Sequence, residues 1–141
     1  MTVFVVLWSL VIVLVAALVI DVGLAISQRE RAADLADQAA RAEAQNLSTD
    51  SLRSSGGAVI QGDDCQRATN YLDNAGDTVH YGHASLNTGF GTGGCLVNDP
   101  GAVGNSVTVS VNLTYSPFVF DLFSGTVTVT ETGTAKAAAG N

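Results

Sequence analysis

Basic residues are scarce in this 141-residue chain, and none precedes Arg29. The six present (Arg29, Arg31, Arg41, Arg53, Arg67, Lys136) stand against 13 acidic side chains, for a net charge of −7. No basic stripe exists to meet phosphates, so nucleic-acid binding is disfavoured. Cysteine occurs only twice, as Cys65 and Cys95, which leaves no spare thiol for nucleophilic catalysis once the two are joined. Charged residues make up 13% of the chain. A low charge content with abundant Gly, Ser, Thr and Asn suits an exported β-rich domain better than a cytosolic enzyme.

What the chain does have is a long apolar run. From Val3 to Ile20 only Ser9 interrupts it, and the first charge is Asp21. As a helix the run spans roughly 27–30 Å, the thickness of a bilayer core. A secretory signal would carry a basic n-region and a shorter apolar stretch. Here a helix-favouring composition continues from Ser27 to Gln45 without Gly or Pro. One unbroken helix over residues 1–52, about 75 Å long, is therefore expected. Residues 1–26 would be its transmembrane or filament-core part and 27–52 its amphipathic part, followed by an extracellular β-rich head over 53–141.

The basic residues all follow the apolar run, which by the positive-inside rule would put the head in the cytoplasm. The cysteine pair argues for an oxidising compartment and a Cys65–Cys95 disulfide. The two agree if a basic leader precedes Met1 and is removed on maturation, and that is the expectation; an untrimmed chain starting at Met1 is the alternative. The disulfide would close a loop of about 30 residues and contribute roughly 3–4 kcal/mol on the chain-entropy model.

In the amphipathic half, Ala32, Ala36, Ala39, Ala40 and Ala44 form a small-residue face that suits either a second helix or the head. Gly56-Gly57 breaks the helix. A second, short helix is expected over Asp63–Asn74, capped by Asp63 or Asp64 and closed by Gly76, with Cys65 in its first turn. Strands are expected at Thr78–Gly82, around Cys95–Val97, over Ser106–Tyr115 and over Ser124–Thr132, the last two alternating cleanly. The fold class is α+β: a long N-terminal hydrophobic helix with a small disulfide-linked antiparallel sheet. Leu35 and Leu47 on the helix should pack on Val107, Val109 and Val111, with Phe118, Phe120 and Phe123 completing that contact.

Enzyme-like patterns carry little. Gly89-Phe-Gly-Thr-Gly-Gly94 spells the dinucleotide fingerprint, but it leads into a strand and offers no helix N-terminus for a pyrophosphate; a flexible surface loop is expected. Asp77, His80 and His83 lack metal-site geometry, because the two histidines point to opposite faces of a strand. No cofactor, metal or catalytic residue is expected. Asp21 either marks the outer edge of the span or is a buried contact of an assembled core. Along the apolar segment, Met1, Val5 and Trp8 offer bulk, while Ala16, Ala17, Gly23 and Ala25 allow close helix approach.

Leu18-Val-Ile-Asp-Val-Gly-Leu24, followed by the alanine-rich stretch from Arg29 to Ala44, resembles the tight-adherence (TadE/TadG-like) family of type IV pilin-like proteins. The tail Val127-Thr-Val-Thr-Glu-Thr-Gly-Thr-Ala135, after the Pro117-Phe stretch, is similar to that family too. The resemblance implies a structural subunit rather than an enzyme. Its helix would sit in the inner membrane until a prepilin peptidase and the pilus assembly machinery release it into a homopolymeric surface filament. A minor pseudopilin and a single-pass anchor for an extracellular binding domain are the alternatives. One departure stands out: type IV pilins usually carry a glutamate at the fifth mature position, and this chain has Val5.

Overall fold

A computed structural model describes residues 2–47, 53–54, 60, 65–76, 82–97, 106–117 and 125–137. Helix α1 runs over Thr2–Ala44 and α2 over Gln66–Gly76. Four strands follow: β1 (His83–Leu86), β2 (Cys95–Val97), β3 (Ser106–Tyr115) and β4 (Val127–Lys136). The expected architecture is present: a long apolar helix, a small antiparallel sheet and a Cys65–Cys95 disulfide with Cα atoms 6.1 Å apart.

The middle of the sheet is β3. Its ten residues pair antiparallel with β4 along the whole length, from Ser106↔Lys136 to Tyr115↔Val127. Its other edge is shared. β1 pairs with Val111–Thr114 and β2 with Val107–Val109, so the two short strands are collinear halves of one interrupted edge. The interruption falls at Ser110, where Asn87 N donates to Ser110 O (2.9 Å) and Ser110 N donates to Gly94 O (3.0 Å). Residues 87–94 leave the sheet between those two bonds.

Alternation decides which face is covered. Val107, Val109, Val111 and Leu113 are fully buried and join Ala32, Leu35, Ala36, Ala39 and Ala40 of α1 in one core. The same core takes in Ala68 and Leu72 of α2 and Ala84 of β1, so both helices lie on one face of the sheet. The opposite face is a hydroxyl ladder: Thr108 with Thr134 (3.0 Å), Asn112 with Thr130 (2.7 Å) and Thr114 with Thr128 (3.1 Å). Such cross-strand pairs each contribute roughly 0.2–1 kcal/mol.

The lower half of α1 lies along the β3–β4 hairpin rather than across it. Asp21, Val22 and Ala25 are beside Val127, Arg29 reaches Glu131, Ala36 meets Gly133, and Arg41 to Leu47 lie by Ala135 and Lys136. Lengths match: β4 covers about 30 Å and the helix from Asp21 to Ala44 about 35 Å. Contact is closest at Gly133, where any Cβ would be driven into the backbone of Ala36 and Asp37. Glycine is thus required by space, not by backbone angle.

Several boundaries differ from expectation. Helix α1 stops at Ala44, not at 52, because Asn46 N closes a tighter turn onto Glu43 O (2.8 Å) and Leu47 enters an antiparallel bridge with Ile60. Helix α2 starts at Gln66, after Cys65 takes a left-handed backbone angle (φ 48°). The first strand begins at His83; of the expected Thr78–Gly82, only Gly82 is among the described residues, and it is not in the strand. Strand β4 runs over Val127–Lys136 rather than Ser124–Thr132: it starts opposite Tyr115, after Gly125 and Thr126, and full pairing with β3 carries it past Gly133.

Replacing Gly133 by alanine should therefore lower the stability of the head by about 1–3 kcal/mol, the usual range for overpacking a closed contact. Urea unfolding of the detergent-solubilised chain, followed by near-UV circular dichroism, measures it; an unchanged midpoint would contradict the close approach.

Candidate functional site: a bare apolar helix and the junction beneath it

Half of α1 has nothing packed around it among the described residues. Every large apolar residue from Val3 to Ile20 is exposed, from 72% at Val3 to 46% at Leu18. This is the one described helix long and apolar enough to cross a membrane. Ser9, the one hydroxyl side chain between Val3 and Ile20, donates to Val6 O within the helix (2.8 Å). Its hydroxyl therefore makes no demand on the surroundings, as an apolar medium requires. Phe4 and Trp8 form an edge-to-face pair, with centroids 6.4 Å apart, on the first two turns. Leaving these side chains in water would forfeit tens of kcal/mol at about 25 cal/mol/Å². A cover of lipid or apolar protein would recover that energy.

Burial begins abruptly at Asp21, which is 4% exposed. It sits with Val22 and Ala25 in a recess completed by Tyr115, Pro117 and Val127, at the end of the sheet nearest the bare span. Below it the buried row continues through Gln28 and Ala32 to Glu43. Asp21 thus marks the end of the bare span and is covered by the chain's own head.

The residues singled out from the sequence divide by side. At about 100° per residue, Thr2, Ser9, Ala16 and Gly23 fall in one row, seven residues apart. All four are exposed. At Gly23 no atom lies within 4 Å of where a Cβ would be. The row lies roughly 140° around the helix from the face that carries the head. Ala17 and Ala25 are on the head side and partly buried, Ala25 within the Asp21 recess. Val5 and Trp8 are exposed, and Met1 is outside the described residues. Thr2 and Ser9 escape a search for glycine and alanine; their signal is the strict seven-residue spacing.

In the head, Leu35, Val107, Val109 and Val111 are buried and Leu47 is partly so. Phe118, Phe120 and Phe123 lie outside the described residues, as do Asp63, Asp64, Asp77 and His80. His83 is exposed on β1. The glycine-rich stretch before Cys95 is a tight loop rather than a slack one. Phe90 N donates to Asn87 O and Gly94 N to Phe90 O, both at 2.9 Å, and Gly91, Gly93 and Gly94 all have positive φ. It sets down Cys95 for the disulfide.

One residue that sequence reasoning missed is Glu43. It is 1% exposed, and its Oε2 accepts from the backbone N–H of Arg67 (3.0 Å) and Ala68 (3.1 Å), at the start of α2. Asn46 Nδ2 donates to its other oxygen (3.3 Å). A cap normally comes from the residue before the helix. That residue is Cys65, whose side chain is committed to the disulfide, so a carboxylate from α1 does the work and also faces the positive end of the helix dipole. Arg67 Nη1 donating to Gln45 O (3.2 Å) and Tyr71 donating to Gln38 Oε1 complete the seam between the helices.

Fold and exposed surface define a class: a chain with one long helix, apolar and exposed over its first half, carrying a small disulfide-linked head on one side of its second half. Residues 1–46 match the family described as "Putative Flp pilus-assembly TadE/G-like", in keeping with a TadE-like, pilin-like protein. That segment is the whole of α1 with its terminal turn. The match points to a part in Flp pilus assembly. No curated protein and no solved structure matches the chain.

Glu43→Ala should leave two buried N–H groups unpaired and cost about 1–3 kcal/mol. Hydrogen exchange at the amides of Arg67 and Ala68 should accelerate while β3 stays protected. Unchanged protection at those amides would show that the cap is dispensable.

Proposed function

We propose that this chain is the structural subunit of a tight-adherence pilus, held in the inner membrane by residues 2–26 and then polymerised through that helix into a surface filament. The observation that carries the reading is the sidedness of α1. The head occupies one face from Asp21 onward, and the row Thr2–Ser9–Ala16–Gly23 runs up nearly the opposite face, bare throughout. A helix with bulk on one side and small residues on the other can join a bundle with its head left outside.

Two covers serve the same surface at different times. Before assembly it is lipid; afterwards it is the corresponding helices of other copies. Between apolar lipid tails and apolar neighbours the hydrophobic effect scarcely discriminates, so shape decides which helices mate. A sustained seven-residue spacing favours left-handed supercoiling of the mated helices. The acid of type IV pilins at the fifth position has no counterpart at Val5, so close packing along the row would replace that polar contact as the register signal. The residues would divide as follows: Ser9, Ala16 and Gly23 for helix contact, Val5 and Trp8 for bulk around them, and Asp21 and Ala25 for fixing the head to the helix. Processing by a prepilin peptidase and handling by the pilus machinery belong to the same reading, by family analogy. The filament places the head at the cell exterior, where the disulfide forms and persists.

Ala16→Leu or Gly23→Leu should abolish filaments in sheared surface fractions viewed by electron microscopy, while membrane-bound subunit and the Cys65–Cys95 bond remain at normal levels. Normal filament yield from both variants would overturn assembly through this row.

A further inference from the structure

We infer that copies of the chain dock through charge as well as shape: the cationic end of one head, at Arg41 and Lys136, sits on the exposed carboxylates Glu30, Asp34 and Asp37 of a second copy. This rests on the filament of the proposed function and names the surfaces that meet beyond the apolar span. The first argument is the make-up of the uncovered side of α1. Seven residues beyond Gly23 comes Glu30, and seven beyond that Asp37, so the row of small residues turns acidic once the apolar span ends. Asp34 lies on the same side, and all three acids are exposed. Glu30 and Asp37 make no hydrogen bond or ion pair among the described residues, and Asp34 accepts from Gln38 Nε2 one turn on (2.7 Å).

Opposite charge lies a short way along the same helix. Arg41 is one turn past Asp37 on that side, and Lys136, at the end of β4, lines a recess with it together with Gln45 and Leu47. Both cations are exposed, and neither makes an ion pair or hydrogen bond among the described residues. Arg29, by contrast, is held by Glu131 of its own chain. Two copies mated in register along the row would set carboxylate against carboxylate. An offset equal to the Asp34–Arg41 or Glu30–Arg41 spacing, about 10–16 Å along the helix, sets cations level with acids instead. Such an offset contact is heterologous: each copy keeps one acidic and one cationic surface free for the next, as an open filament requires. Overall charge is the third argument. Each copy carries −7, so crowded heads repel unless their few cations lie on neighbouring acids. Complementary patches within one sequence make a second copy the occupant.

Lys136 is the single lysine of the chain, which makes the contact directly readable. A water-soluble carbodiimide joins an amine to a carboxylate in an amide bond with no spacer, so it couples groups already in contact. Applied to filaments sheared from the cell surface, it should give covalent dimers and higher multimers in denaturing gels. Mass spectrometry of the dimer should find Lys136 joined to Glu30, Asp34 or Asp37. Lys136→Arg keeps the charge and should leave filaments intact while removing the multimers. Arg41→Glu combined with Lys136→Glu should lower filament yield at least about tenfold, since like charges then face each other. Adding Glu30→Lys and Asp37→Lys to that variant should restore the yield. All four side chains are exposed, and the Cys65–Cys95 bond in each variant checks that the head still folds. Multimers that persist with Lys136→Arg, or dimers linked through other carboxylates, would overturn the docking and leave a filament built through the apolar helix standing. Wild-type filaments that yield no multimers would overturn it as well. Absence of this chain from sheared filaments would instead reject the proposed function, and the docking with it.

Discussion

The rest of the molecule depends on how closely α1 can approach β4. Gly133 has no side chain, and Ala32, Ala36, Ala39 and Ala40 have almost none, so the helix settles onto the hairpin nearly backbone to backbone. A close, parallel seat fixes rotation as well as distance. Once Ala36 is against Gly133, the positions of Asp21, Gln28 and Glu43 follow from the helical period. Glu43 then reaches the start of α2, and Asp21 falls beneath Tyr115 and Pro117. The exposed Arg29–Glu131 ion pair (2.6 Å) trims the edge of this contact, but a pair with Arg29 73% exposed contributes little.

Much of this was legible in the sequence because it rests on periodicity. The apolar run, the alternating Ser106–Tyr115 strand and the lone cysteine pair each carry their meaning locally. What was not legible depends on distant partners. Glycine at 133 reads as a strand breaker until Ala36 is beside it, and β4 therefore looks shorter than it is. Glu43 reads as one more polar residue on an amphipathic helix, because its partners are backbone N–H groups 24 and 25 residues away. The end of α1 at Ala44 is set by a bridge from Leu47 to Ile60, again a tertiary event.

Along the bare helix the division is similar. Composition alone marks Ala16, Ala17, Gly23 and Ala25 as alike, whereas attachment of the head separates them into two sides. With the head in place, Gly23 lies on the uncovered side of the helix, and Ala16, Ser9 and Thr2 continue that side upward. The bare span has no cover among the described residues, and an exposed apolar surface of that extent marks a site of contact with protein or membrane.

Electron cryomicroscopy of the native surface filament tests this account most directly. The account predicts a core of packed helices comprising residues 2–26, with Ser9, Ala16 and Gly23 turned toward neighbouring helices and the sheets outside. A filament whose subunits meet through their sheets, with this row facing solvent or the subunit's own head, would contradict it.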